Sequence, residues 1–167
     1  MLHYGFCSPA AHTLYGGGVI DLPDWKPRRD SAACRASSVA LARAVLAVRD
    51  ELTMPHLREA LTVALWKYTE SDGKYTTRYR SEAALHAPSR LVHHEHVITR
   101  RSLVDRLIAD PDAVEEIMST AVGCVVLRAE HASLGAIEKA DPFATGWDRY
   151  RLAGITVWDL ADRRRVT

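Results

Sequence analysis

The sequence predicts an α+β fold, a helix-rich single domain in which a small β-sheet or hairpin carries a histidine motif. Three observations lead there. Residues 33–52 are alanine-rich, contain neither glycine nor proline, and set Val39, Ala42 and Leu46 at helical spacing. Two short apolar, β-branched runs, 91–98 and 124–127, have the length of strands. The first run is interrupted by His93, His94, Glu95 and His96, which gather three of the chain's eight histidines.

Taken in order, residues 1–30 hold Gly16, Gly17 and Gly18 and three of the seven prolines, and read as an irregular N-terminal arm with one short strand near Val19 and Ile20. Leu2, Tyr4, Phe6, Leu14, Tyr15 and Trp25 make that arm apolar enough to dock on a core. Residues 31–167 then form one globular unit. Its helical part, 31–88, opens with the helix over 33–52. Thr53 is the expected N-cap of a second helix, with Pro55 in the first turn and Leu57, Leu61, Ala64, Leu65 and Tyr68 along one face. Ser71, Asp72 and Gly73 stop it. Residues 74–80 alternate aromatics, threonines and arginines, and read either as a strand or as the lead-in to a short helix ending before Pro88.

The ββα-like part, 89–140, begins with the histidine strand. Thr99 or Ser102 caps a helix through Ala109, and Pro111 starts another that reaches about Ala121. Gly123 turns the chain into the strand 124–127, and a helix from about Ala129 carries His131, Leu134 and Ile137. Residues 141–167 supply a loop, a last strand over 155–160, and a basic tail at Arg163, Arg164 and Arg165.

Composition narrows the function classes. With 47% hydrophobic and 26% charged residues the chain has the make-up of a soluble globular protein. It has no apolar run approaching the ~18–20 residues of a membrane span and no export-signal pattern. Three well-separated cysteines, Cys7, Cys34 and Cys124, argue against a disulfide framework. The expectation is a cytoplasmic protein with no membrane partner. Net charge is only +1, but from Lys74 to Arg106 seven basic residues face three acidic ones. That excess surrounds the histidine run, where a phosphodiester would want cations, although a solvated basic face has the same composition.

The histidine run carries the strongest chemical signal. A strand sends alternate side chains to opposite faces. His94 and His96 therefore share one face, and His93 and Glu95 the other. The second strand is followed closely by Glu130 and His131, 35 positions after His96. Histidine and glutamate delivered from two rigid elements suit a divalent ion. Zn²⁺, Mn²⁺ and Ni²⁺ fit such donors, and Mg²⁺ fits where fewer nitrogens take part.

The segments HHEHVITR and GCVVLRAEHASL together resemble the HNH, or ββα-metal, nuclease family over about residues 90–135. The resemblance implies that Glu95 and His131 bind the metal and that His96 is the base activating water. It further implies that Arg100, Arg101 or Arg128 holds the scissile phosphate or stabilises charge developing on it. The chain departs from the family in joining the two strands through about two helices, in lacking proline after Val97 and asparagine before Cys124, and in lacking paired cysteines.

Two further segments interleave aromatics with arginine, a pattern suited to base stacking with phosphate contacts. One, over 66–82, contains Arg78 and Arg80; the other, over 146–154, contains Arg149 and Arg151. The first reads equally as a twisted hairpin. The second reads equally as a helical turn that buries Trp147 and Tyr150 and exposes its arginines.

Other readings of the histidines stay open. They can be core-edge side chains bonded to backbone, or a structural zinc site can form from His94, His96, Cys124 and His131. At the level of function, the expectation is a metal-dependent endonuclease or phosphodiesterase acting on nucleic acid. The alternative is a non-enzymatic regulator that binds nucleic acid or protein, of the compact kind found on phages, plasmids or in defence systems.

Overall fold

The computed structural model describes residues 20–167, together with the backbone of Leu14–Tyr15 and Gly18–Val19. Those two dipeptides pair as an antiparallel ribbon, β1 (Leu14–Tyr15) with β2 (Gly18–Val19). Leu2, Tyr4, Phe6 and Cys7 lie outside the described residues. In the later part of the expected arm, Leu22 packs with Leu85, Trp158 and Leu160, and the Trp25 indole donates to Thr76 O at 2.8 Å.

The chain is a helix-rich α+β domain. Helices α1 (Ser31–Ala47) and α2 (Met54–Thr69) form where alanine and leucine predicted them. The second ends at Thr69, and the turn after it closes at Gly73, whose N–H donates to Glu70 O at 2.7 Å and whose φ of +96° favours glycine. With α3 (Arg100–Ala109) and α4 (Val114–Ser119) these helices share one core, built on Leu46, Leu57, Leu61, Leu65, Leu103, Leu107, Ile117 and Met118. Full burial of each such side chain contributes roughly 1.5–3 kcal/mol. Thr99 caps α3 by accepting from the Ser102 N–H at 3.3 Å.

A five-stranded sheet adjoins this layer. It comprises β3 (Tyr79–Ser81), β4 (Val92–His96), β5 (Gly123–Leu127), β6 (Val157–Asp159) and β7 (Arg164–Arg165), in the order β4-β5-β3-β6-β7. Only β3 and β5 run parallel. Helices α5 (Arg128–Ala140) and α6 (Trp147–Leu152) pack on one face through Leu134, Tyr150, Cys124, Val126 and Val157. Among the described residues no helix is long and apolar enough to cross a membrane.

Of the two readings left open for 74–80, the strand is found at its end: β3 lies within the mainly helical part 31–88 and occupies the middle of the sheet. The basic tail is an edge strand, β7, paired antiparallel with β6. Arginine side chains suit an exposed edge, where charge discourages pairing with a further strand.

Candidate metal centre

The site is built on the outer edge of the sheet. β4 pairs on one side only, with β5, in a register that sets His94 opposite Val125, Glu95 opposite Cys124 and His96 opposite Gly123. Alternation along β4 divides its polar side chains as predicted. Glu95 lies beside Cys124 on the face that carries α5 and α6, whereas His94 and His96 point to the other face, toward the end of α2.

α5 follows β5 without a loop, and one carboxylate pins its first turn. Glu130 Oε2 accepts from the Leu127 N–H at 2.7 Å and from the Ser81 hydroxyl at 2.6 Å. His131, Leu134 and Glu138 then fall on one stripe of the helix. Leu134 is fully buried, and His131 swings over β4. Its Nδ1 lies 2.6 Å from Glu95 Oε2; a carboxylate only accepts, so the imidazole donates. The His93 ring stacks on the His131 ring with centroids 3.9 Å apart. One donor atom each from His93, Glu95 and His131 lies within 4.8 Å of the other two. Two imidazoles and a carboxylate are a donor set that zinc and other borderline divalent ions take.

Behind the cluster stands a buried cation. Arg149, on α6, is 1% exposed. Its Nη2 donates to Glu95 Oε1 at 3.0 Å and to His96 O at 2.8 Å, and its Nη1 lies 3.4 Å from Glu138 Oε2. Glu95 is thus oriented from both sides, by Arg149 on one oxygen and His131 on the other.

The opposite face holds a separate network. His94 Nδ1–H donates to Lys74 O at 2.9 Å, and its Nε2 lies 3.0 Å from the Thr69 hydroxyl, whose one proton also has Trp66 O within reach at 3.1 Å. His96 Nε2 lies 3.1 Å from that same oxygen. Burial pushes the His96 imidazole down to about 3, with His94 and Arg100 adding to the effect. Burial also lowers His94 and His93, and for His93 the neighbouring His131 is the next cause. All three are neutral at neutral pH.

The expected site residues divide accordingly. Glu95 and His131 converge, and His93 joins them. His96 stands on the other face, bonded to Thr69, because a strand cannot send adjacent side chains the same way. The same division excludes the four-ligand zinc site: Cys124 faces α6 while His94 and His96 face α2. Burial also raises the Cys124 thiol, keeping it protonated.

Arg100, Arg101 and Arg128 line a cleft of about 530 Å³ with Lys74, Trp66, Glu138 and the cluster itself, and because β4 is an edge strand His94 and His96 border the same cleft from its other face. Four arginines assigned to nucleic acid are placed otherwise. Arg149 is enclosed, since its guanidinium is committed to Glu95 and backbone carbonyls. Arg78 makes two 2.7 Å bonds to Asp159 and one of 2.8 Å to Asp162. Arg80 is half-buried on the central strand, with its Nε enclosed and unbonded. Arg151 pairs with Asp148 on the surface of α6.

Sequence reasoning undervalued His93 and misread Arg149. Sharing a face with Glu95 was the signal for the first; nothing local marks the second. No protein-family model, curated protein or solved structure matches the chain.

Proposed function

We propose that this protein is a metal-dependent phosphodiesterase acting on nucleic acid, with His93, Glu95 and His131 as its ligand set. One observation carries the reading: two imidazoles and a carboxylate gather in a cleft that also holds four cations against one further carboxylate, Glu138, which faces Arg149. Among the described residues, Lys74, Arg100, Arg101 and Arg128 line it, and none of the four has a carboxylate within ion-pair distance. Unneutralised cations around a ligand cluster suit a phosphate substrate.

Three protein ligands leave room for water and substrate, the arrangement of catalytic rather than structural zinc sites. A bound Zn²⁺, Mn²⁺ or Ni²⁺ would polarise a phosphoryl oxygen and acidify water there. The chain's own residues do the rest. Arg149 fixes the Glu95 carboxylate from behind, and stacking on His131 holds the His93 ring. Arg100, Arg101 and Arg128 receive the phosphate. An antiparallel strand pair followed at once by a helix bearing His131 keeps the HNH-like resemblance in play. In this version His93 replaces His96 at the reacting face, and His96 helps hold the strand.

The test is cleavage of plasmid and of single-stranded oligonucleotide, first with chelator and then with each divalent ion. Cleavage should require the ion and fall at least about a hundredfold in His131→Ala and in His93→Ala, the scale on which metal sites respond to lost ligands. The ion alone should raise the melting temperature of the wild type, by an amount worth ~2.7 kcal/mol at a hundred times Kd, and not that of His131→Ala. Full activity in chelator, or in His131→Ala, overturns the proposal. Salt-sensitive binding without turnover under any ion points instead to the regulator.

A further inference from the structure

The cleft is cationic, and it also has an aromatic wall. Trp66 projects from the last turns of α2 and remains 37% exposed, and Tyr75 lines the same cleft. The Lys74 ammonium lies 5.4 Å from the Trp66 ring centre and 5.5 Å from that of Tyr75. The Arg100 guanidinium lies 5.8 Å from the Trp66 ring. These are cation–π distances, so two of the free cations are held beside one accessible indole.

That combination discriminates between forms of nucleic acid. A duplex offers phosphates and base edges, while its base faces are stacked against one another. An indole flanked by cations gains its full contact only from an unpaired base, which presents a face for stacking while its neighbouring phosphates meet the charges. A cleft of about 530 Å³ is also the size of a small-molecule pocket, suited to a nucleotide unit or two rather than to the width of a duplex.

We infer that Trp66 is a stacking platform for an unpaired base, with Lys74 and Arg100 on the flanking phosphates, and that the substrate is single-stranded. The inference rests on the proposed phosphodiesterase, since it takes the backbone past His131. It leaves DNA and RNA as two sources of one chemistry.

Binding is measured without turnover, on the full chain in chelator. The probes are end-labelled oligonucleotides of about 12 nucleotides, within the ~4–16 that such grooves span, as single-stranded DNA, single-stranded RNA and the matching DNA duplex. Trp66→Ala should weaken single-strand binding on the order of tenfold, as loss of one stacked base predicts, and leave the weaker duplex binding unchanged. Trp66→Phe should keep most of the single-strand affinity. The DNA and RNA arms show which strand is preferred.

Equal weakening on single strand and duplex, or no change in Trp66→Ala, overturns the platform. If that happens while ion-dependent cleavage still needs His131, the metal centre stands and only the platform falls. If Trp66-dependent binding holds but no ion supports cleavage, the platform stands and the phosphodiesterase falls.

Discussion

Arg149 Nη2 lies 3.0 Å from Glu95 Oε1 with the arginine 1% and the glutamate side chain 10% exposed, so the candidate ligand is anchored by an enclosed ion pair. The two residues are 54 positions apart and sit on α6 and β4. An enclosed pair adds little net stability over an apolar replacement, but removing one partner strands the other. Its use here is orientation. Glu95 cannot rotate away from His131 without leaving a guanidinium uncompensated.

Arg149→Ala should therefore destabilise the protein by ~3–5 kcal/mol in urea unfolding. Arg149→Lys should recover only part of this, because one ammonium cannot reach Glu95 Oε1, His96 O and Glu138 together. In the surviving Lys variant, divalent-ion affinity should fall ~10–100-fold, the range for loss of a residue that orients a ligand. A loss below about 1 kcal/mol in Arg149→Ala would mean the pair is not enclosed in solution.

Acid should weaken the fold through the histidines of β4. His96 is pushed down to about 3 by burial, against an ordinary value of 6.5. Below pH 6.5 the unfolded chain binds a proton at this residue and the folded chain does not. Protons thus favour unfolding, and the stability in question is complete above about 6.5 and declines as pH falls toward 3. The slope approaches ~1.4 kcal/mol per pH unit, or about 2 kcal/mol lost by pH 5 from His96 alone. His94, lowered by burial, acts in the same direction. Asp159 is subject to burial, which would raise it, but the Arg78 hydrogen bonds win and lower it. Its contribution is lost only at more acid pH, below the ordinary carboxylate value, so the two windows separate. The urea midpoint, measured in chelator, should fall steadily from pH 7 to pH 5 and do so less steeply in His96→Leu. A flat midpoint across that range would contradict neutral, enclosed imidazoles.

What could be read before any coordinates follows from how locally each feature is encoded. α1 and α2 announce themselves through alanine, leucine and proline within the segment. The two faces of β4 follow from strand geometry alone, and His131 was within reach because β5 and α5 are contiguous. β3 was ambiguous because it is three residues long with an arginine at its centre. The place of that strand in the middle of the sheet is decided by β5 and β6, more than forty residues away. Arg149 is the clearest failure: an arginine in an aromatic segment looks like surface, and only Glu95 and the carbonyls of His96 and Val97, at the end of β4 and just past it, make its burial tolerable.

Gly123 is pressed against the network of His94 and Thr69, and it yields the sharpest structural test. A Cβ at this position would lie 2.5 Å from His94 Cε1, 2.8 Å from His94 Nε2 and 3.3 Å from Thr69 O. The ring cannot swing aside freely, because Lys74 O holds one nitrogen and the Thr69 hydroxyl the other. Gly123→Ala should cost roughly 1–3 kcal/mol by overpacking. The added methyl drives His94 off Thr69, which should loosen His96 as well and shift the imidazole resonances of both. Shrinking the ring should relieve the clash. In a cycle of Gly123→Ala with His94→Ala, the double variant should be more stable than the sum of the single losses by ~0.5–3 kcal/mol. Additive losses, within about 0.5 kcal/mol, would mean that the backbone of β5 and the His94 ring do not meet.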